Sequence, residues 1–440
     1  MDSHDERTAT IGGDRPIPAP DPIARDYLLL ALRVNRLLPG LVDAYFGPAD
    51  LKAQVEAEGP PTAAKLREEA SALTARLSRE VVEPDRQRWL QAQLVALEAQ
   101  ALMATGDPLP YSDYLACLFD TAPERTPESQ FESAAEDLAR LLPCGEKLSE
   151  TVADRLAVWD ARFRIAPDRL PAVVDWLVSQ VRDRADRLLG LPTGERIEFV
   201  YVSGGPWSAF NQYEGGGRSL IEINTEVLCT PARLVEMAAH ECYPGRHTEH
   251  AWRERRIVGD MGRPEATVAM LNTPEALISE GLAYLGERMV APDEAMAGLL
   301  VELYGRGGLA LAADRPAAFD AAEKQVRIQH ALASLRPVTA NAAFMLHADG
   351  ASKEDVVAYL SRYLPTGPER AEKQLALIDD PICRAQVVVG PEGERLLRRW
   401  FELGPTAEQV DRFGRLLREQ MTPGSISAEL SSLGFGGSIW

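Results

Sequence analysis

The chain has 440 residues, enough for two or three packed units, with 45% hydrophobic and 26% charged residues, as in an ordinary globular protein. Lys plus Arg number 47 against 66 Asp plus Glu, a net charge of −19. A surface this acidic repels phosphate backbones and anionic lipid, which argues against nucleic-acid and membrane partners.

The first residues are acidic and lack the apolar run of a secretory signal, and no stretch approaches the roughly 20 apolar residues of a membrane span. Five Cys at 117, 144, 229, 242 and 383 form no C-x-x-C pair. That pattern is expected of reduced thiols in a cytoplasmic protein.

Residues 1–22 are polar and rich in Pro and Gly and read as a disordered lead-in. An apolar run through Tyr27, Leu28, Leu29 and Leu32 predicts a helix that stops at Pro39-Gly40, and Val42 to Pro48 reads as a compact loop or short helix. Helices are predicted over 62–80 with Thr62 as N-cap, over 84–105, near 111–119, 128–142 and 148–163, and over 168–189. No strand is evident before Gly190.

The pattern changes at 192. Arg196 to Val202 alternates as a strand does, and two further segments flank the turn Gly215-Gly216-Gly217, predicting a hairpin. From Pro274 the chain reads as helical again, near 274–289, 293–312, 317–335, 337–348, 353–364 and from Thr406. The Ser/Gly-rich end reads as a tail. The expected organisation is a lead-in (1–22), an N-terminal helical region (23–190), a region holding the small sheet and the C-terminal helices (191–425), and a tail (426–440). The expected fold is mainly α (α+β): a large helical array with a small antiparallel sheet beside one central helix, and a zincin-like site in a deep cleft.

That central helix carries the chemistry. His240-Glu241-Cys242-Tyr243-Pro244-Gly245-Arg246-His247-Thr248-Glu249-His250 holds three of the six His in the chain. An adjacent His-Glu followed by another His is how helical zinc hydrolases begin their sites, with a ligand beside a general base. The usual spacing is His-Glu-x-x-His, whereas His247 follows His240 by seven residues. In an unbroken helix that is about 10.5 Å along the axis, too far for two imidazoles on one ion. Pro244 removes a helical N–H and Gly245 tolerates unusual dihedrals, so a break here is expected to fold His247 back toward His240.

The third ligand is sought in Ser279-Glu280-Gly281-Leu282-Ala283-Tyr284-Leu285-Gly286-Glu287, where Glu280, Tyr284 and Glu287 share one helical face. The expected site is one Zn2+ held by His240, His247 and Glu280. Glu241 is the base toward a metal-bound water, Tyr284 a donor to the developing oxyanion, and Glu287 a group orienting a ligand imidazole from behind.

These residues give the chain its resemblance. It is similar to a bacterial domain-of-unknown-function family whose signature is His-Glu-x-x-Pro-Gly-His-His followed by Glu-Gly-x-Ala, regarded as gluzincin-like zinc metallopeptidases. Tyr213 to Gly217, Ile221 to Asn224, Leu346 to Ala351, Ala385 to Gly390 and Val42 to Pro48 resemble further blocks of that family, so the likeness spans about 25–430. It implies a zinc-dependent peptidase or amidase, and it adds His347 as a catalytic candidate; the expected cleft enclosed by helices would favour short peptides. The chain departs from the signature at Arg246, which stands where the first His of the pair is expected. If the family's ligand is the second His of the pair, His247 keeps the site intact; if it is the first, His247 or His250 would have to fill its place.

Asn211, Tyr213, Arg246 and Arg336 are the candidate substrate-binding residues, Arg336 through a substrate carboxylate and the first two from an edge strand. His250 is expected behind the ligands. Two other functions are compatible with the sequence: a metal-dependent hydrolase of a non-peptide substrate, and a non-catalytic helical binding protein with a degenerate metal site.

Overall fold

The computed structural model describes residues 17–106, 109–143, 151–204, 208–227, 229–365 and 367–433. Most of the expected lead-in and the last seven residues of the expected tail lie outside this set. So does Cys144.

The helices form where local chemistry starts them. Asp21 accepts from the Ala24 amide to open Pro22–Leu37, Thr62 from Lys65 to open Ala63–Glu80, and Thr273 from Ala276 to open Pro274–Val290. In Ala63–Glu80 the buried positions are Leu66, Ala70, Leu73 and Leu77, a single apolar stripe. Pro84–Met103 buries residues on every side, among them Trp89, Leu90, Leu94 and Leu97, and is an interior helix. These N-terminal helices share a core that Val268 and Met270 help close. A larger core runs from Ala96 to Leu430, so apolar packing is continuous across residue 190.

Two differences from the sequence reading concern the ends of this array. Val42–Tyr45 is a strand (β1) rather than a loop or short helix. The partner that makes it a strand lies far away in sequence: it pairs antiparallel with Val268–Met270. Running into the expected tail, Pro423–Ser432 is a helix, because Thr422 caps it, Pro423 fits the first turn, and Ile426 and Leu430 find buried sites.

The second sheet has β2 (Arg196–Val202), β3 (Ala209–Gly215) and β4 (Arg218–Asn224) in the order β2-β4-β3. β3 and β4 form the antiparallel hairpin, turning through Gly215, Gly216 and Gly217, all at positive φ. β2 joins β4 in parallel, with Phe199 beside Ile221.

The helix Pro274–Val290 is held closely against Cys383–Phe401. A Cβ on Gly281 would lie 2.5 Å from the Gly393 carbonyl carbon, so the two backbones touch where any side chain would part them. This contact fixes the position of Glu280, one residue earlier.

Candidate functional site

The His-Glu segment is built from a short helix, a bulge and a break. Pro231–Met237 is α-helical, Ala238–Cys242 widens to a π turn, and helix Arg246–Trp252 restarts after Gly245. The Tyr243 amide donates to the Ala238 carbonyl and the Gly245 amide to the Ala239 carbonyl, so the chain is closed by wide loops. Gly245 is obligatory, since a Cβ there would overlap the His240 carbonyl. The Asn211 side chain donates to the Glu241 carbonyl at 2.7 Å and ties the bulge to β3. Asn211 is therefore a brace of the bulge.

The break occurs where Pro-Gly predicts it, but it turns a different residue inward. The Arg246 guanidinium is hydrogen-bonded to Asp43 at 3.0 Å and to Glu280, and its Nε is 4.0 Å from Glu241. His240 Nε2 lies 3.6 Å from Glu280 and 3.9 Å from Glu241. His240, Glu241 and Glu280 thus converge as the sequence suggests, with a cation supplied by the chain itself among them.

His247 lies one position, about 100°, further round the helix and faces the sheet. Its Nδ1 is 2.8 Å from the Ser219 hydroxyl and its Nε2 is 2.9 Å from Glu195, with the ring fully buried. Glu195 also receives the Tyr243 hydroxyl and Arg182. Burial opposes its charge, but these donors, His247 first, hold its carboxyl below the usual range. The expected metal ligand His247 is a buried tether between helix and sheet.

His250 shares the Arg246 face, one turn on. It is buried, stacks on Tyr213 at 5.0 Å between centroids, and its Nδ1 has no hydrogen-bond partner among the described residues. Burial, then the neighbouring Arg253, pushes its pKa well down. The Tyr213 hydroxyl donates to Glu254 at 2.5 Å, so this tyrosine is a packing and hydrogen-bonding residue of the core. His347 contacts Tyr111 and the Ile378 carbonyl (2.7 Å) rather than His240, Glu241 or Glu280. The geometry does not bring it to the expected catalytic position.

Burial, then Arg246 and Arg336, lowers the His240 pKa to about 3, leaving a neutral imidazole. Burial raises the Glu241 pKa to about 7, with Arg246 opposing. Tyr284 packs edge-on against His240 at 5.0 Å, and the Arg336 guanidinium lies 4.5 Å above its ring. Arg336 is in turn held by Glu236 at 2.9 Å and Glu394 at 3.4 Å.

Tyr284, Arg336, Glu236 and Glu287 line a cavity of about 560 Å3, in the range of small-molecule sites. Glu287 accepts no hydrogen bond among the described residues; it faces this cavity and not a ligand imidazole. Glu236, Asp43 and Glu195 are the site residues that sequence reasoning missed. Asp43 lay inside a recognised block, Val42 to Pro48, but nothing local marked its carboxylate.

The donor set does not fit a zinc ion in this arrangement. His240 and Glu280 offer two donors, His247 is turned away, and a guanidinium holds the Glu280 carboxylate that a metal would need. Among the described residues, no group of three or more His, Cys, Asp or Glu side chains is placed to hold a metal.

No family model and no curated protein matches the chain. Among solved structures, the chain is similar to one described as "the putative lipoprotein from Colwellia psychrerythraea", at 13% identity and a TM-score of 0.44. The match covers 83% of this chain and 66% of that one, so the chain spans just under two thirds of its length. No described helix is long and apolar enough to cross a membrane. The four described cysteines, Cys117, Cys229, Cys242 and Cys383, are free thiols.

Proposed function

We propose that this chain is a helical binding protein built on a zinc-hydrolase-like site, in which Arg246 stands in for the metal cation. The adjacent cavity then holds a peptide or other small amide ligand without a metal-activated water. One observation carries this reading: the Arg246 guanidinium is ion-paired to Asp43 and Glu280 and lies 4.0 Å from Glu241. A divalent ion between His240 and Glu280 would sit against that guanidinium, and Coulomb repulsion at such a distance, in a buried site, opposes it strongly. The free thiols support a cytoplasmic location for this protein.

A second reading, a metal-dependent hydrolase of a peptide, amide or non-peptide bond, has its own observation. A neutral His240 faces Glu280 at 3.6 Å, with Glu241 next to it in sequence. Metal analysis after dialysis against zinc separates the two readings. The binding reading expects no stoichiometric zinc. Near-stoichiometric zinc that is lost in both His240→Ala and Glu280→Ala would overturn it in favour of the hydrolase.

A further inference from the structure

The cavity beside Tyr284 has a definite charge arrangement. Three of the arginines that line it are committed to carboxylates. Arg336 is held by Glu236 and Glu394, Arg395 is clasped at two points by Glu392 (2.8 and 2.6 Å), and Arg398 is bound to Glu394. Asp293 is engaged by His330 at 3.1 Å.

Glu287 differs from these. Its carboxylate lines the cavity, is only partly exposed, and accepts no hydrogen bond among the described residues. Four charged groups act on it: Glu236 and Glu394 disfavour its charge, while Arg336 and the adjacent Arg288 favour it. Burial outweighs the two arginines, and its pKa rises to about 7. A carboxylate left without a donor in a partly dry cavity is costly, and a ligand donor removes that cost. The rest of the wall includes the apolar side chains of Met296, Leu300, Val326 and Val388.

We infer that this cavity binds a ligand with a primary ammonium group and an apolar body, the ammonium ion-paired to Glu287 and the body against Met296, Leu300 and Val326. The N-terminal end of a short hydrophobic peptide has this chemistry. Three N–H donors match a carboxylate that has no donor among the described residues, and a volume of about 560 Å3 accommodates one or two residues. The inference rests on the binding reading only in placing the ligand in this cavity. It holds whether or not His240 and Glu280 take a metal.

The test is calorimetric titration of the full chain with Leu-Leu amide and with its N-acetyl form, which keeps the apolar body and removes the ammonium. Wild type is expected to bind the free amine at least about tenfold more tightly, equivalent to about 1.4 kcal/mol. Glu287→Gln is isosteric and breaks no protein hydrogen bond seen here, and it is expected to erase that ratio without lowering the unfolding temperature at pH 6. Val326→Asn, which puts an uncharged polar group on the apolar wall, is expected to weaken both ligands together. Equal binding of the two forms would overturn the inference. So would a preference that survives in Glu287→Gln, or no binding of the free amine up to about 10 mM. None of these results depends on zinc content, so failure here is distinct from failure of the metal-free reading.

Discussion

The Arg246 guanidinium joins Glu280 to Asp43, residues from helix Pro274–Val290 and strand β1 that are more than two hundred positions apart. It is the cation that lets several carboxylates, Glu241 included, sit inside the protein. Removing one partner of a buried ion pair strands the others, at a cost of about 3–5 kcal/mol. Arg246→Met keeps much of the apolar stem and loses the charge, so it is expected to destabilise by about that amount in urea unfolding. Adding Asp43→Asn to Arg246→Met is expected to restore part of the loss, because one stranded charge is gone. A neutral effect of Arg246→Met would show that the ion pairs seen here are solvated.

Glu287 gives a pH signature with a definite sign. Its folded pKa is raised from 4.5 to about 7, so the folded state holds a proton that the unfolded state has released over that interval. Its contribution to stability is therefore full below about pH 4.5 and is lost as pH rises through 7. Glu287→Gln cannot ionise. It is expected to match wild type below about pH 4 and to exceed it near pH 8 by on the order of 1–3 kcal/mol. Parallel stability–pH profiles for the two proteins would contradict this assignment.

His247 acts through Ser219 and Glu195, and its replacement is expected to affect stability alone. His247→Ala leaves the Glu195 carboxylate and the Ser219 hydroxyl short of partners in a buried place, a loss of about 2–4 kcal/mol. Binding of Leu-Leu amide should be unchanged at temperatures where the variant is folded. A selective loss of binding, with stability intact, would return His247 to the functional site.

Gly281 lies where two helix backbones meet, against Gly393. Gly281→Ala requires the helices to part, and overpacking of this kind costs about 1–3 kcal/mol. Because Glu280 precedes it, the same change is expected to weaken the Arg246–Glu280 pairing. A thermal-unfolding temperature equal to or above that of wild type would show that the contact is looser than described.

Much of the helical array could be read from the sequence because caps and apolar stripes are local: Thr62 caps its helix as predicted, and the helices from Pro274 and Lys353 start at the predicted places. Strand β1 could not, since its strand character comes from Val268–Met270, more than 200 residues away. Nor could the parallel pairing of β2 with β4, which a local hairpin pattern does not encode.

At the site, Pro244-Gly245 correctly marks the break, and His240, Glu241 and Glu280 come together. The phase of the restarted helix was not legible. One residue is about 100° of rotation, and that rotation directs Arg246 to Glu280 and His247 to Glu195. The partner carboxylates Asp43 and Glu195 arrive from distant strands and loops, and no spacing rule announces them.

The central claim is that Arg246 occupies the role of a metal cation, and the most direct measurement is zinc stoichiometry of wild type beside Arg246→His. A histidine at 246 lies on the face that meets His240 and Glu280, and it replaces a cation with a third donor. After incubation with zinc and extensive dialysis, wild type is predicted to retain no stoichiometric zinc, and Arg246→His to retain close to one ion per chain with a raised unfolding temperature. Near-stoichiometric zinc in wild type, or none in a folded Arg246→His, would contradict the account.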